Sequence, residues 1–163
     1  HSHHGNAILS EWPIIEEENT DLTVNRLESR GVLCATVEAG GKRLVLGSTH
    51  LNLLARDRRL QLARINEALG ARWSPNEALI LAGDFNDWRG EACGTLQRGL
   101  ALDSAHRKLN GELPQTFPAR FALMRLDRIY SRGVRLVAAG VLSGDPWRKL
   151  SDHLPIWVDF DWA

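Results

Sequence analysis

The sequence predicts an α/β (α+β) layered domain, and three observations carry that prediction. Short apolar, β-branched runs outnumber helical patterns; two of these runs adjoin across a glycine pair, as hairpin strands do; and only one stretch sustains a helical period. Many short strands with few helices point to packed layers rather than a doubly wound parallel sheet.

Each element follows from local chemistry. Gly31 to Ala39 and Lys42 to His50 are strand-like, and Gly40-Gly41 between them accept positive φ, so the two runs predict a β-hairpin with Cys34 as a small core residue. From Asp57 the period changes: Leu62, Ile65 and Leu69 recur at helical spacing, with Asp57 as the expected N-cap and Gly70 as the stop. Leu79 to Ala82 is a short, wholly apolar run ending in Gly83, the mark of a buried strand that delivers Asp84 at its end. Further strands are expected over Leu126 to Tyr130, Val134 to Leu142 and Pro155 to Phe160, with a helix over Thr95 to Leu100. No repeat, low-complexity tract or linker interrupts the chain, so residues 1–163 read as a single domain.

Composition narrows the function. Of 163 residues, 44% are hydrophobic and 25% charged, which excludes disordered and collagen-like classes. Twenty basic residues balance twenty acidic ones, so no global positive field draws in nucleic acid, and any polyanion site is local. Acids gather early (Glu11, Glu16, Glu17, Glu18, Asp21) and arginines later (Arg56, Arg58, Arg59, Arg64, then Arg120, Arg125, Arg128). That asymmetry reads as a phosphate-binding face or as solvated surface. Cys34 and Cys93 lack the spacing of a disulfide framework or structural zinc site. No apolar run approaches the ~20 residues of a transmembrane span and no signal peptide is visible, which favours a cytoplasmic location. Histidines stand at positions His1, His3 and His4, a pattern that a purification tag also produces.

Four polar clusters terminate apolar runs: Thr49-His50, Gly83-Asp84-Phe85-Asn86, Leu126-Asp127-Arg128 and Ser151-Asp152-His153. A single such residue is ordinarily a cap or turn former. Four together, supplying three Asp, one Asn and two His, favour convergence on one site. Hard oxygen ligands suit Mg²⁺, an imidazole suits a phosphate, and a carboxylate orients water or the imidazole. Zinc hydrolase chemistry is disfavoured because no HExxH is present, and a serine hydrolase because no GxSxG elbow occurs.

These motifs, with Gly5-Asn6-Ala7-Ile8-Leu9-Ser10 and Pro13-Ile14 ahead of them and Ser48-Thr49-His50-Leu51, Gly83-Asp84-Phe85-Asn86, Leu126-Asp127-Arg128-Ile129-Tyr130 and Ser151-Asp152-His153 in order, resemble the endonuclease/exonuclease/phosphatase superfamily. That superfamily includes DNase I, abasic-site endonucleases, neutral sphingomyelinases and inositol polyphosphate 5-phosphatases. The stretch Ala82 to Arg89, Thr116-Phe117-Pro118 and Trp147-Arg148-Lys149-Leu150 is similar to a group of small bacterial members. That group also carries His-His-Gly-Asn-Ala, and the resemblance implies that His3-His4 is native rather than a tag.

The resemblance implies a DNase I-like four-layer α/β/β/α sandwich and hydrolysis of a phosphodiester or phosphomonoester by activated water. It implies that Asp84 orients or deprotonates that water, that Asn86 helps hold it or the phosphate, and that His153 contacts the scissile phosphate. Asp127 would hydrogen-bond His153, and His50 matches a histidine of the DNase I and sphingomyelinase branches. The implied cofactor is Mg²⁺, with Mn²⁺ as a substitute, near Asp152, Asp84 and Asn86. Substrates across the superfamily are nucleic acid, phospholipid headgroups and small phosphate esters.

The chain also departs from the pattern. The family's first strands, with an Asn and a Gln-Glu metal ligand, are not found, so the chain reads as the C-terminal two-thirds of the domain, N-terminally truncated. Such a chain by itself is expected to bind metal weakly and to bare sheet surface that self-association, a partner segment or the rest of a longer protein covers. Glu16-Glu17-Glu18 reads as a solvated loop, and Trp12, Trp88 and Trp147 read as core residues rather than a lipid-facing mouth. The alternative to an enzyme is a catalytically silent module of the same fold.

Overall fold

Alternation of apolar and polar residues along short strands settles which side chains face which layer. A computed structural model describes residues 5–25 and 28–163, so the His1, His3 and His4 readings lie outside the described residues. The elements are β1 (Ile14–Asp21), β2 (Gly31–Ala39), β3 (Lys42–His50), α1 (Ala55–Arg72), β4 (Ala78–Asp84), α2 (Glu91–Leu100), β5 (Asp103–Ser104), α3 (Ala105–Asn110), β6 (Asp127–Arg132), β7 (Val134–Val141), α4 (Trp147–Leu150) and β8 (Ile156–Trp162). Six strands form one sheet in the order β1-β2-β3-β4-β6-β5, and β7 pairs with β8 in a second. The β3 to β4 pair is parallel, joined through α1, while its neighbours in the sheet are antiparallel.

The β2–β3 hairpin has the bounds expected from its composition, with Gly40 and Gly41 at φ 61° and 77° in its turn. Val32, Cys34, Val45, Leu79, Leu81 and Tyr130 pack against Leu62, Ile65 and Leu69 of α1 and Leu96 and Leu100 of α2. Val37, Leu44, Ile80 and Ile129 face the opposite way and meet Leu136, Val158, Phe160 and Trp162 of the second sheet. Both faces of the large sheet are therefore covered over β4, which is why that strand reads as an uninterrupted apolar run. Burial pushes the Cys34 thiol up to about 12, in keeping with an inert core residue. Three layers of the expected sandwich, helix on sheet on sheet, are present among the described residues.

Several local expectations need correction. Glu16-Glu17-Glu18 lies within β1, not in a loop, because pairing with β2 satisfies its backbone. Arg72 bridges Glu16 and Glu18, and Arg43 holds Glu16 at 3.3 Å. These charges on an edge strand discourage pairing with another chain. The first helix begins at Ala55, with Leu54 at its N-cap, and Asp57 instead accepts the side-chain amides of Asn25 and Asn52. Gly70 does not stop it. The helix continues to Arg72 and is followed by Trp73, which is buried, so packing outweighs the ~1 kcal/mol that an interior glycine costs. Helix α2 starts at Glu91 rather than Thr95 because the Asp87 carboxylate accepts the Gly90 and Ala92 N–H groups at its start. Trp12 and Trp88 are exposed and Trp147 is partly so; the core tryptophan is Trp73.

Candidate active site

Register brings three of the four polar clusters side by side. His50 at the end of β3 lies opposite Asp84 at the end of β4, and Asp84 lies opposite Asp127 at the start of β6. Counting back in twos along these strands, all three share the face that Ile80 and Ile129 present to the second sheet. The fourth cluster, in the loop before β8, adds His153.

Two imidazoles converge on one carboxylate oxygen. His50 Nε2 stands 3.3 Å and His153 Nε2 4.0 Å from Asp84 Oδ2. Behind His153, its Nδ1 meets Asp127 Oδ2 at 2.8 Å. Asp84 Oδ1 accepts the Asn86 N–H at 2.8 Å, so the carboxylate is held from both ends. Gly83, at φ 148°, is required here: a Cβ at that position would overlap the Thr49 carbonyl oxygen. The glycine thus lets β3 and β4 close together directly behind His50 and Asp84.

Asn86, at φ 48°, is buried and donates its Nδ2 to Leu51 O at 2.8 Å. It therefore straps the loop after β4 to the loop after His50, and its Oδ1 has no protein partner among the described residues. Asp152 is exposed and accepts the Ser151 hydroxyl at 3.4 Å; no hydrogen bond or ion pair joins it to Asp84 among the described residues.

Three supporting residues were not assigned roles from sequence. Thr116 donates its hydroxyl to Asp127 Oδ2 at 2.5 Å. The Phe117 ring lies 4.8 Å from the His153 imidazole. Arg128, fully buried, donates to Asp127 O at 2.9 Å and Asp87 O at 2.8 Å, tying β6 to the loop that follows Asn86. The Thr116-Phe117-Pro118 string and the arginine following Asp127 were visible in the sequence. Their contacts depend on chain segments remote from each other.

The electrostatics separate the two histidines. The hydrogen bond to Asp127 raises the His153 pKa above the ordinary imidazole value, and the charges of Asp127, Asp84 and Asp152 add to it. Burial lowers His50, although Asp84 opposes that effect. Burial raises Asp84 above the usual carboxylate range, and Asp127 adds to the rise against the Asn86 hydrogen bond and both histidines. The arrangement thus sets an imidazole shifted toward its neutral form and a carboxylate of raised basicity beside an imidazole shifted toward its cationic form. A cavity of about 610 Å³ adjoins His50, with Asn6, Asn19, Asp21, Ser29 and Arg30 among its lining residues.

The family model described as Endonuclease/Exonuclease/phosphatase family matches residues 1–153. The uncharacterized protein YbhP of Escherichia coli (strain K12) is 41% identical over 156 residues, covering 94% of this chain and 61% of YbhP. The chain thus spans about three-fifths of the length of the curated relatives it matches first. Among solved structures, the mannosyl-6-phosphatase Bt3783 of Bacteroides thetaiotaomicron VPI-5482 aligns with a TM-score of 0.77 at 18% identity, over 93% of this chain and 67% of its own. D. rerio TDP2, complexed with a single-strand DNA product, aligns with a TM-score of 0.74 at 21% identity, over 91% of this chain and 68% of its own.

Proposed function

Because the chain belongs to the endonuclease/exonuclease/phosphatase family, whose members are hydrolases of phosphoester bonds, we propose that it hydrolyses a phosphoester with water oriented by Asp84. The observation that carries the proposal is the convergence of His50 and His153 on Asp84 Oδ2. A phosphoryl group between the two imidazoles lies beside a carboxylate of raised basicity. Asp84 takes a proton from the attacking water as the oxygen bonds to phosphorus. Cationic His153, held by Asp127, donates a hydrogen bond to a non-bridging oxygen and offsets the charge that gathers there. Neutral His50, in its Nε2-protonated tautomer, donates to Asp84 and keeps it aimed. The bond to the leaving oxygen breaks, and the group it carried occupies the polar cavity beside His50.

The family's chemistry uses a divalent cation, for which Mg²⁺ or Mn²⁺ is proposed here. The described residues do not by themselves make its site: no group of three His, Cys, Asp or Glu is placed to hold an ion. Asp84, the Asn86 Oδ1 and Asp152 are hard oxygen donors at the same end of the sheet, but they are not gathered on one point. No step above is therefore routed through a cation. The same observation favours a second reading, a non-catalytic module of the same fold.

Hydrolysis of bis(p-nitrophenyl) phosphate in Mg²⁺, Mn²⁺ or EDTA decides between them. Turnover that EDTA abolishes and that Asp84→Ala removes supports the enzyme. Turnover that persists in Asp84→Ala overturns the assignment of the site, and no turnover with any ion supports the module.

A further inference from the structure

We infer that the rim of this site is an interfacial docking surface for an anionic lipid bilayer, so that the phosphoester it acts on is presented at a membrane surface. The second clause rests on the hydrolase reading; the first does not.

Six of the thirteen large hydrophobic side chains exposed among the described residues lie in or at the edge of the four loops that carry the site. Leu53 and Leu54 follow His50, Trp88 follows Asn86, Phe121 and Leu123 sit on the turn between Phe117 and Met124, and Leu150 precedes Ser151-Asp152-His153. Their exposure runs from 46% at Trp88 to 76% at Phe121. Such a concentration around one mouth is not the scatter of single apolar residues found over ordinary surfaces.

The loops are fastened to one another at the site. Arg58 donates to Leu53 O, and its guanidinium carbon lies 5.1 Å from the Trp88 ring centre, joining the first loop to the second. Ala119 N–H donates to Asp152 O at 2.7 Å, and Leu154 N–H to Thr116 O at 2.9 Å, joining the third to the fourth. The apolar tips therefore stand around His50, Asp84 and His153 rather than at unrelated places.

Cations are interleaved with them. Arg56 in the first turn of α1, and Arg89 and Arg120 on two of these loops, are exposed and form no ion pair among the described residues. Of the nearby acids, Glu91 pairs with Arg59 and Asp145 with Arg148 and Lys149, which leaves Asp152 as the exposed carboxylate set against these three arginines. With a net charge of zero, the chain has no long-range field, so this positive character is local to the rim. Apolar tips that enter the acyl boundary beside arginines that meet anionic headgroups are the chemistry of interfacial binding. The docking is to a surface, and no helix among the described residues is long and apolar enough to cross a membrane. Nucleic acid fits less well: four of the six tips are leucines, which cannot stack on bases as the Phe121 ring can, and one face of Trp88 is taken by Arg58.

Co-sedimentation with vesicles tests the inference. The protein is expected to bind vesicles of equimolar phosphatidylcholine and phosphatidylglycerol more tightly than phosphatidylcholine alone, and less tightly in high salt. Phe121→Ser with Leu123→Ser, and separately Leu53→Ser with Leu54→Ser, should each weaken binding about tenfold or more. Val137→Ser, at a residue 52% exposed in β7 away from these loops, should not. Circular dichroism confirms that each variant is folded. Absence of binding to either vesicle, or equal loss in Val137→Ser, overturns the inference. So does a dimer in light scattering that the Phe121 and Leu123 changes dissolve without any vesicle binding, since a second copy then covers the rim. Asp84→Ala should bind vesicles like the parent; vesicle binding without turnover would sink the hydrolase reading and leave the docking surface standing.

Discussion

His153 presents its Nδ1 to Asp127 Oδ2 at 2.8 Å, and that same oxygen accepts the Thr116 hydroxyl at 2.5 Å. A single carboxylate oxygen thus fixes the imidazole's orientation and favours its charged form. Replacing Asp127 with Asn should lower the His153 pKa, read from the pH titration of its ring proton by NMR. The folded pKa is raised, so the pair's stabilisation is full below the unfolded value of about 6.5 and is lost as pH rises through the folded one. The stability gap between parent and Asp127→Asn should therefore be larger at about pH 6 than at about pH 8.5 in urea unfolding. An unchanged His153 titration refutes the pairing.

Asp84 is raised mainly by burial, so activity should climb with pH through a value above that of an ordinary carboxylate. Asp84→Asn should lower kcat by about 10²–10⁴-fold. A buried acid with a raised pKa weakens the fold as pH rises through it, so the variant's Tm should equal or exceed the parent's at neutral pH. A large drop in Tm would mean that Asp84 is structural.

Gly83 combines φ 148° with contact against the Thr49 carbonyl. Gly83→Ala forces β3 and β4 apart and should destabilise by about 3 kcal/mol or more, a fall of roughly 6–12 °C in Tm. Calorimetry of the variant checks this, and a Tm within a degree of the parent's contradicts the packing.

Arg128 is a buried cation whose two hydrogen bonds go to backbone carbonyls of Asp127 and Asp87. Arg128→Met strands both acceptors and should cost about 2–4 kcal/mol in denaturant unfolding. Arg128→Lys should rescue poorly, because an ammonium cannot span two carbonyls as the guanidinium fork does. Full rescue by Lys would show that the charge alone matters.

Elements whose physics is local were legible in the sequence. The β2–β3 hairpin carries its own turn glycines, and β4 is an apolar run that needs both faces covered. β1 was missed because its strand pairing is paired with charge: Glu16, Glu17 and Glu18 resemble a solvated loop until Arg72, far along the chain, arrives beside them. Asp57 fitted an N-cap by composition, yet Asn25 and Asn52 claim its carboxylate. The exposed Trp88 followed from the same limit, since sequence gives no sign of which tryptophan a neighbouring loop will cover.

For the site, strand-end position singled out His50, Asp84, Asn86, Asp127, Asp152 and His153 together, because polar residues closing apolar runs have few reasons to recur in four places. That His50 and His153 reach one oxygen of Asp84, while Asn86 turns inward to Leu51 and Asp152 stays in solvent, was decided by tertiary structure. The amino-acid order determined most of the strands, their polar ends and the family. Strand register and loop packing alone determined which of those ends meet, because the distance between groups remote in sequence is set by the contacts of the backbone between them and not by the residues themselves.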